Sequence, residues 1–161
     1  MNIQIRNELR PGDMGTIIHM HGTLYAREYG FDNTFEPYVA EPLSRFILNR
    51  TEQENVWIAE KSNRIIGSAA VVKFSPELAQ LRWLLVHPEA RGLGLGKNLV
   101  LETVEFSKKA GYKKIFLWTV NILPAAAHIY LSFGFKKTEE RKQAKLWGRS
   151  LREERYEIDL I

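Results

Sequence analysis

The chain has 161 residues, 45 % of them hydrophobic, enough for one domain with a full apolar core and leaving little room for two. It contains no cysteine, which excludes disulfides, thiolate metal sites and a cysteine nucleophile. The net charge of +4 comes from basic pairs such as Lys108-Lys109, Lys113-Lys114, Lys136-Lys137 and Arg141-Lys142 scattered among acids, so no coherent face for nucleic acid is expected and no nucleic-acid partner is assigned.

In chain order, Met1 to Arg6 lacks the apolar stretch of a signal peptide, and no later run approaches the roughly 18 apolar residues of a membrane span. A soluble cytoplasmic protein without a membrane partner is the expectation, and the Asn49-Arg50-Thr51 sequon is then a coincidence. Ile3 to Asn7 alternates as a strand does, Pro11-Gly12 turns, and Asp13 caps a helix running to about Tyr29. Gly30 to Pro37 reads as a loop, and Tyr38 to Asn49 as a second helix interrupted by Pro42. Val56 to Glu60 and Arg64 to Phe74 form a hairpin around Lys61-Ser62-Asn63. A strand from Gln80 to Val86 leads into a glycine loop and then a helix from Leu95 to Ala110. The strand Lys114 to Val120, a helix from Pro124 to Phe133, and two strands, Phe135 to Leu146 and Glu154 to Leu160, complete residues 1–161 as one domain without repeats or linkers.

The loop Arg91-Gly92-Leu93-Gly94-Leu95-Gly96-Lys97 joins a strand to a helix start, and this context makes it an anion site. Glycine lets the backbone turn sharply and approach a ligand. The first helical N–H groups and the positive end of the helix dipole attract a phosphate or pyrophosphate. Two nucleotide motifs fail on spacing. Gly96-Lys97 is followed by Asn98 instead of Ser or Thr, so it is not a Walker A loop. Gly92, Gly94 and Gly96 place the third glycine one position early for a dinucleotide fingerprint.

The segment resembles the acetyl-coenzyme A loop of the GCN5-related N-acetyltransferase (GNAT) superfamily, whose Arg/Gln-x-x-Gly-x-Gly/Ala pattern is met by Arg91, Gly94 and Gly96. Val86-His87-Pro88 matches the family's preceding strand end, and Ala126, Tyr130, Gly134 and Phe135 match its second signature, in the right order. Within the superfamily, Gln80-Leu81-Arg82-Trp83, Leu117-Trp118-Thr119 and Trp147-Gly148 look like the acetyltransferase domain fused behind MarR-type regulators, here as a free-standing relative. The resemblance implies an α/β (α+β) fold: a central mixed, mostly antiparallel sheet with splayed central strands, flanked by about four helices. Acetyl-CoA is the implied cofactor, with no metal. The implied reaction is direct transfer of the acetyl group to an amine of a small molecule or peptide, and a homodimer is compatible with it. A binding module that senses acetyl-CoA without turnover is the alternative.

For individual residues, the resemblance assigns the loop from Arg91 to Lys97, including Gly92, Leu93 and Leu95, to the cofactor's phosphates, and the backbone of Leu84, Leu85 and Val86 to its pantetheine arm. Ala126 belongs to the same cofactor set, and Asn121 is either a cofactor contact or a turn residue, since the family's usual spacing falls on Leu123. Tyr130 is the implied acid that assists the leaving thiolate. Many members carry a glutamate where this chain has Gln80, which cannot accept a proton. Winding the first helix at about 100° per residue puts His21, Tyr25 and Glu28 within its apolar stripe, so His21 and Glu28 either face the acceptor, pair structurally, or reach solvent through a slight rotation of the stripe. His19 and His128 read as surface residues. Arg82 on the strand either reads an anionic group of the acceptor or pairs with an acid such as Glu28. Trp118, with Trp83 and Trp147, is either an aromatic wall of the acceptor site or core.

Overall fold

A computed structural model describes residues 2–160. The elements are β1 (Gln4–Arg6), α1 (Asp13–Tyr29), α2 (Phe35–Asn49), β2 (Asn55–Lys61), β3 (Arg64–Ser75), β4 (Leu78–Val86), a 3₁₀ turn (Pro88–Ala90) and α3 (Leu95–Lys109). They continue with β5 (Lys114–Val120), α4 (Pro124–Ser132), β6 (Lys136–Glu140), β7 (Ala144–Leu146), β8 (Arg149–Leu151) and β9 (Glu153–Asp159). Seven strands form one sheet in the order β1-β2-β3-β4-β5-β9-β6, antiparallel except between β4 and β5, and β7 and β8 make a separate hairpin. Four α-helices flank a mixed, mostly antiparallel sheet, which is the expected fold class. No helix among the described residues is long and apolar enough to cross a membrane.

Each face of the sheet has its own core. On one side Leu95, Leu99, Val100 and Val104 of α3 pack with Val71, Leu81, Ile115, Leu117 and Tyr130. On the other, Ile17 of α1 and Val39, Leu43 and Phe46 of α2 pack with Val56, Ile58, Trp83, Val120 and Leu151.

Three sequence expectations change. Asp13 does not cap α1: Gly12 sits at that position in the left-handed region, and the buried Asp13 carboxylate accepts hydrogen bonds from Arg6 Nη1 (2.7 Å) and the Arg10 N–H (2.7 Å), tying the helix to β1. Helix α2 starts at Phe35, ahead of Tyr38, and continues through Pro42. Proline removes one helical hydrogen bond, but Phe35, Val39, Leu43 and Phe46 lie on one face and their burial outweighs that loss. The single strand expected from Phe135 to Leu146 is broken at 141–143 into β6, which pairs with β9, and β7, which Trp147 (φ 51°) and Gly148 (φ 80°), both at positive φ, fold back onto β8 in a two-residue turn.

Two irregularities create the site. Strand β4 pairs with β5 only over Leu78–Gln80, and from Leu81 onward the two strands part, leaving the β4 edge toward β5 without a partner strand. Within β4, Arg82 pairs with Ala70 and Leu85 with Ser68, so Trp83 and Leu84 together oppose Ala69 in a β-bulge, with Trp83 at φ 51°. The Ser68 hydroxyl donates to the Trp83 carbonyl (2.7 Å) and fixes the bulge. Before it, Ala79 and Leu81 face α3; after it, Leu84 and Val86 do, while Trp83 and Leu85 face α1 and α2.

Candidate active site

The parted strands open a cleft lined by Gln80 to Leu84 of β4, Leu117 to Val120 of β5, Leu123, Ala126 and Tyr130 near and in α4, and His21, Tyr25 and Tyr38 of α1 and α2. The glycine loop follows β4 in the chain, after the 3₁₀ turn. Gly92 (φ 79°) and Gly94 (φ 80°) adopt backbone that L side chains resist, and a Cβ on either would meet open space, so the concave side of the loop is free for a ligand. No side chain caps α3, and its first turn carries no acid. The amides at its start are thus available to an anion. Gly96 serves packing: a Cβ there would lie 2.9 Å from Ile129 Cδ1, the far end of a side chain that would have to shift to admit it. Lys97 and Leu93 are exposed and Leu95 is buried, which leaves their backbone as the part able to contact a phosphate.

Tyr130 is buried, with its ring 5.8 Å from Phe135 and 5.9 Å from Tyr156, and it lines the cleft below the parting strands. Burial, reinforced by Tyr25 and Tyr156, pushes its phenol well above the ordinary value, so it remains a protonated hydrogen-bond donor at every physiological pH. Ala126 lies one helical turn earlier and also lines the cleft. Asn121 is turned away: its Oδ1 accepts from the Arg152 N–H (2.8 Å) and its own N–H donates to the Arg152 carbonyl (3.0 Å), which makes it a brace between β5 and the start of β9.

One part of the cleft wall is aromatic. Phe31, Phe35, Tyr38 and Trp147 join Tyr25 there, with ring centroids at 4.8 Å for Tyr25–Phe35, 4.9 Å for Phe35–Trp147 and 4.9 Å for Tyr38–Trp147. Trp147 reaches this wall because the β7–β8 turn is bound to the loop before α2. The Asp32 N–H donates to the Trp147 carbonyl (2.9 Å), and a Cβ at Gly148 would lie 2.9 Å from Asp32 Oδ2. Trp118 lines the cleft under the Arg141 guanidinium, 4.0 Å from its ring centroid, and Arg141 also holds Glu153 at 3.1 Å. Trp83 belongs to the α2 core, against Phe46. Sequence reading missed Phe31, Phe35, Tyr38 and Glu153. The spacing of Phe35 and Tyr38 was a usable signal, since aromatic residues three apart stack on one helix face, whereas Phe31 lies in the loop before α2.

The inward residues of α1 separate. His21 is in the cleft wall, stacked on Tyr25 (5.8 Å) and buried, with Nδ1 2.8 Å from the Ile17 carbonyl. A carbonyl only accepts, so Nδ1 carries the proton and Nε2 is bare. Burial pushes the imidazole down to about 4, so it is uncharged near neutral pH and a feeble proton acceptor. Glu28 corrects two expectations together. It faces neither the acceptor cleft nor Arg82 but forms a bidentate ion pair with Arg91, including a 2.7 Å bond from Nη2 to Oε1. Arg91 holds the Glu28 carboxyl below its usual range, and helix α1 is thereby clasped to the glycine loop. Arg82 has no carboxylate partner among the described residues and lies over the Trp83 ring, 5.0 Å from its centroid. His19 and His128 are exposed, as expected.

Known proteins with this fold and loop agree. A family model described as "Acetyltransferase (GNAT) family" matches residues 21–135. An uncharacterised N-acetyltransferase of Schizosaccharomyces pombe is 35 % identical over 118 residues, covering 71 % of this chain and 72 % of that one. Human N-acetyltransferase 8B is 36 % identical over 87 residues, 51 % of this chain and 38 % of the relative, so the match spans well under half of that longer protein. Among solved structures, an N-acetyltransferase of Staphylococcus aureus Mu50 superposes with a TM-score of 0.82 at 18 % identity, covering 100 % of both chains. A GNAT family acetyltransferase of Elizabethkingia anophelis with acetyl-CoA bound gives 0.71 at 18 % identity, covering 99 % of both. The split sheet, the uncapped helix behind Arg91-x-x-Gly94-x-Gly96 and the family match over most of the chain place this protein in the acetyltransferase (GNAT) family, a family of acyl-CoA-dependent acyltransferases.

Proposed function

We propose that the chain, acting as one domain over residues 1–161, moves the acetyl group of acetyl-CoA to the amine of a small molecule or peptide by direct attack while both are bound. The observation that carries this reading is the conjunction of two features joined by β4: the uncapped start of α3 behind the glycine loop, and a cleft along the unpaired edge of β4 with an aromatic chamber and Tyr130 in its wall. When bound, acetyl-CoA supplies an activated thioester carbonyl. The loop amides from Gly92 to Lys97 hold its phosphates, and the backbone of Leu84, Leu85 and Val86 pairs with the amides of its pantetheine arm as an added strand would. Ala126 closes the floor of that slot.

Tyr130 donates a hydrogen bond to the sulfur as the C–S bond breaks. A phenol raised by burial is a weaker acid than a thiol, so it stabilises the thiolate by hydrogen bonding, and the proton that ends on sulfur comes from the amine by way of water. His21, uncharged and bare at Nε2, accepts a hydrogen bond from the incoming amine and does not serve as its strong base. Gln80 and Thr119 line the same cleft and supply neutral polar contacts. Within the family we liken the chain to the acetyltransferase domains fused to MarR-type regulators, and a homodimer suits the reading. Coenzyme A release measured over a panel of amino acids, polyamines, aminoglycosides and peptides tests it: release with at least one amine is expected. Tight acetyl-CoA binding with no release from any acceptor would leave a sensor.

A further inference from the structure

Arg82 is the cationic side chain of the cleft wall that no carboxylate neutralises among the described residues. The other charges nearby are already matched: Glu153 is held by Arg141 at 3.1 Å, and Arg141 in turn covers Trp118. The β4 bulge accounts for its placement. Arg82 pairs with Ala70 of the α2-side core, and the positive φ of Trp83 turns the next side chain to that same face. Two consecutive residues that would normally point to opposite faces thus share one, and the guanidinium rests on the indole beside the aromatic chamber. Arg82 is half-buried, and an arginine is seldom drawn even partly out of water without an anion to meet it. Its planar fork matches a carboxylate bidentately.

We propose, resting on the acetyltransferase reading, that the acceptor is a small amino-carboxylate with an apolar or aromatic body. Arg82 takes the carboxylate, Tyr25, Phe31, Phe35, Tyr38 and Trp147 enclose the body, and the amine is left free to attack. In the reaction the amine nitrogen forms a bond to the acetyl carbon, the C–S bond breaks, and the amine's proton ends on the coenzyme A sulfur. The unmatched positive charge of Arg82 disfavours polyamines and aminoglycosides, whose extra ammonium groups would meet it. A carboxylate several residues from the amine, as in a peptide, would not reach Arg82 in the same pose.

The test compares phenylalanine, leucine and methionine, each with its own carboxamide, and includes spermidine and a phenylalanine-led tripeptide. For the intact enzyme, kcat/KM should favour the free acid of at least one pair over its amide by about tenfold or more, with spermidine and the tripeptide below the amide's level. Arg82→Gln should lower that ratio to within about twofold of unity by depressing the acid alone, and Arg82→Lys should restore part of it, with acetyl-CoA affinity unchanged in both. Amides, spermidine or the tripeptide turning over as well as the acids would overturn the proposal, and this comparison needs no variant to fold. Calorimetric binding of the acids and amides to the coenzyme A complex separates the two readings. Acids bound over amides without turnover would uphold Arg82 recognition and sink acetyl transfer, and turnover without acid preference would do the opposite.

Discussion

The glycine loop and the aromatic cleft are built from different parts of the amino acid. At the glycine loop the backbone does the chemistry: Gly92 and Gly94 hold a turn that other residues resist, the amides of α3 lack a cap, and the side chains of Leu93 and Leu95 play no part. At the acceptor end side chains do it, and they come from α1, α2, β4, β5, the β7–β8 turn and β9. A backbone site can be encoded by a short fixed spacing, whereas a side-chain site assembled from six elements can vary at each position without disturbing the fold. The family is therefore carried by the first region and the individual character of this chain by the second.

The test with the largest expected effect lies where the two regions meet. Tyr130→Phe removes the hydrogen bond to the leaving sulfur and should lower kcat by roughly 10²- to 10³-fold, while acetyl-CoA affinity changes little because the ring stays packed on Phe135 and Tyr156. Single-turnover kinetics on a confirmed acceptor check this. An unaltered rate would reduce Tyr130 to packing and leave the cleft without a group acting on sulfur.

On the acceptor side, His21 gives a pH signature. Its folded value of about 4 lies below the ordinary 6.5, so between these limits the unfolded chain binds a proton that the folded one refuses. Stability is full above pH 6.5 and falls as pH drops toward 4, by about 3 kcal/mol for a ring this thoroughly buried. His21→Gln should lose that part of the slope, with the carboxylates contributing equally to both proteins. Urea unfolding of the two proteins at pH 7 and pH 4 measures it. Parallel loss in the two would show that the ring is hydrated by the cleft and still free to act as a base.

On the cofactor side, Gly94→Val puts a β-branched residue at φ 80° with its Cβ in the open concavity of the loop. Acetyl-CoA affinity should fall more than about tenfold, roughly 1.4 kcal/mol, by calorimetry, in a domain whose sheet remains folded. Unchanged affinity would move the phosphates elsewhere.

The same division explains what the sequence disclosed. The order of strands and helices and the loop were legible, because strand alternation, helix periodicity and glycine spacing are local, whereas the parting of β4 from β5 was implied only by the family resemblance that the loop carries. The start of α2 was not, since Pro42 and Pro37 are local helix-breaking signals and the apolar face that overrides them is tertiary. Nor was the β7–β8 turn, where a tryptophan takes a positive φ that its type disfavours. Trp147 consequently counted as possible core, although the Asp32 contact swings it into the acceptor wall. Glu28 was offered as one partner for Arg82, the other reading being an anionic group on the acceptor, because both faced inward and bore opposite charge. The distance between α1's last turn and the bulge, which decides the matter, has no trace in one chain's spacing.

The smallest effect is the one that assigns Glu28 to a side. Helical position alone put it with the acceptor, yet its carboxylate clasps Arg91, the first residue of the glycine loop. Both side chains are partly exposed, 25 % for Glu28 and 45 % for Arg91, so solvent screens the pair and its contribution to stability is about 1 kcal/mol at most. Glu28→Gln keeps the shape and drops the charge. Two terms then oppose each other: the loop loses a brace that holds Arg91 in place, while a negative charge near the phosphates disappears. In the folded protein Arg91 already neutralises that charge, so the loss of the brace should win and acetyl-CoA affinity should weaken, by no more than about fivefold. Raised salt should shrink the difference between the two proteins. The KM of the acceptor and the pH–rate profile should not move, because Glu28 is not part of the acceptor wall. A shift in acceptor KM with acetyl-CoA affinity intact would return Glu28 to the acceptor side and make the clasp a feature of the unliganded enzyme alone.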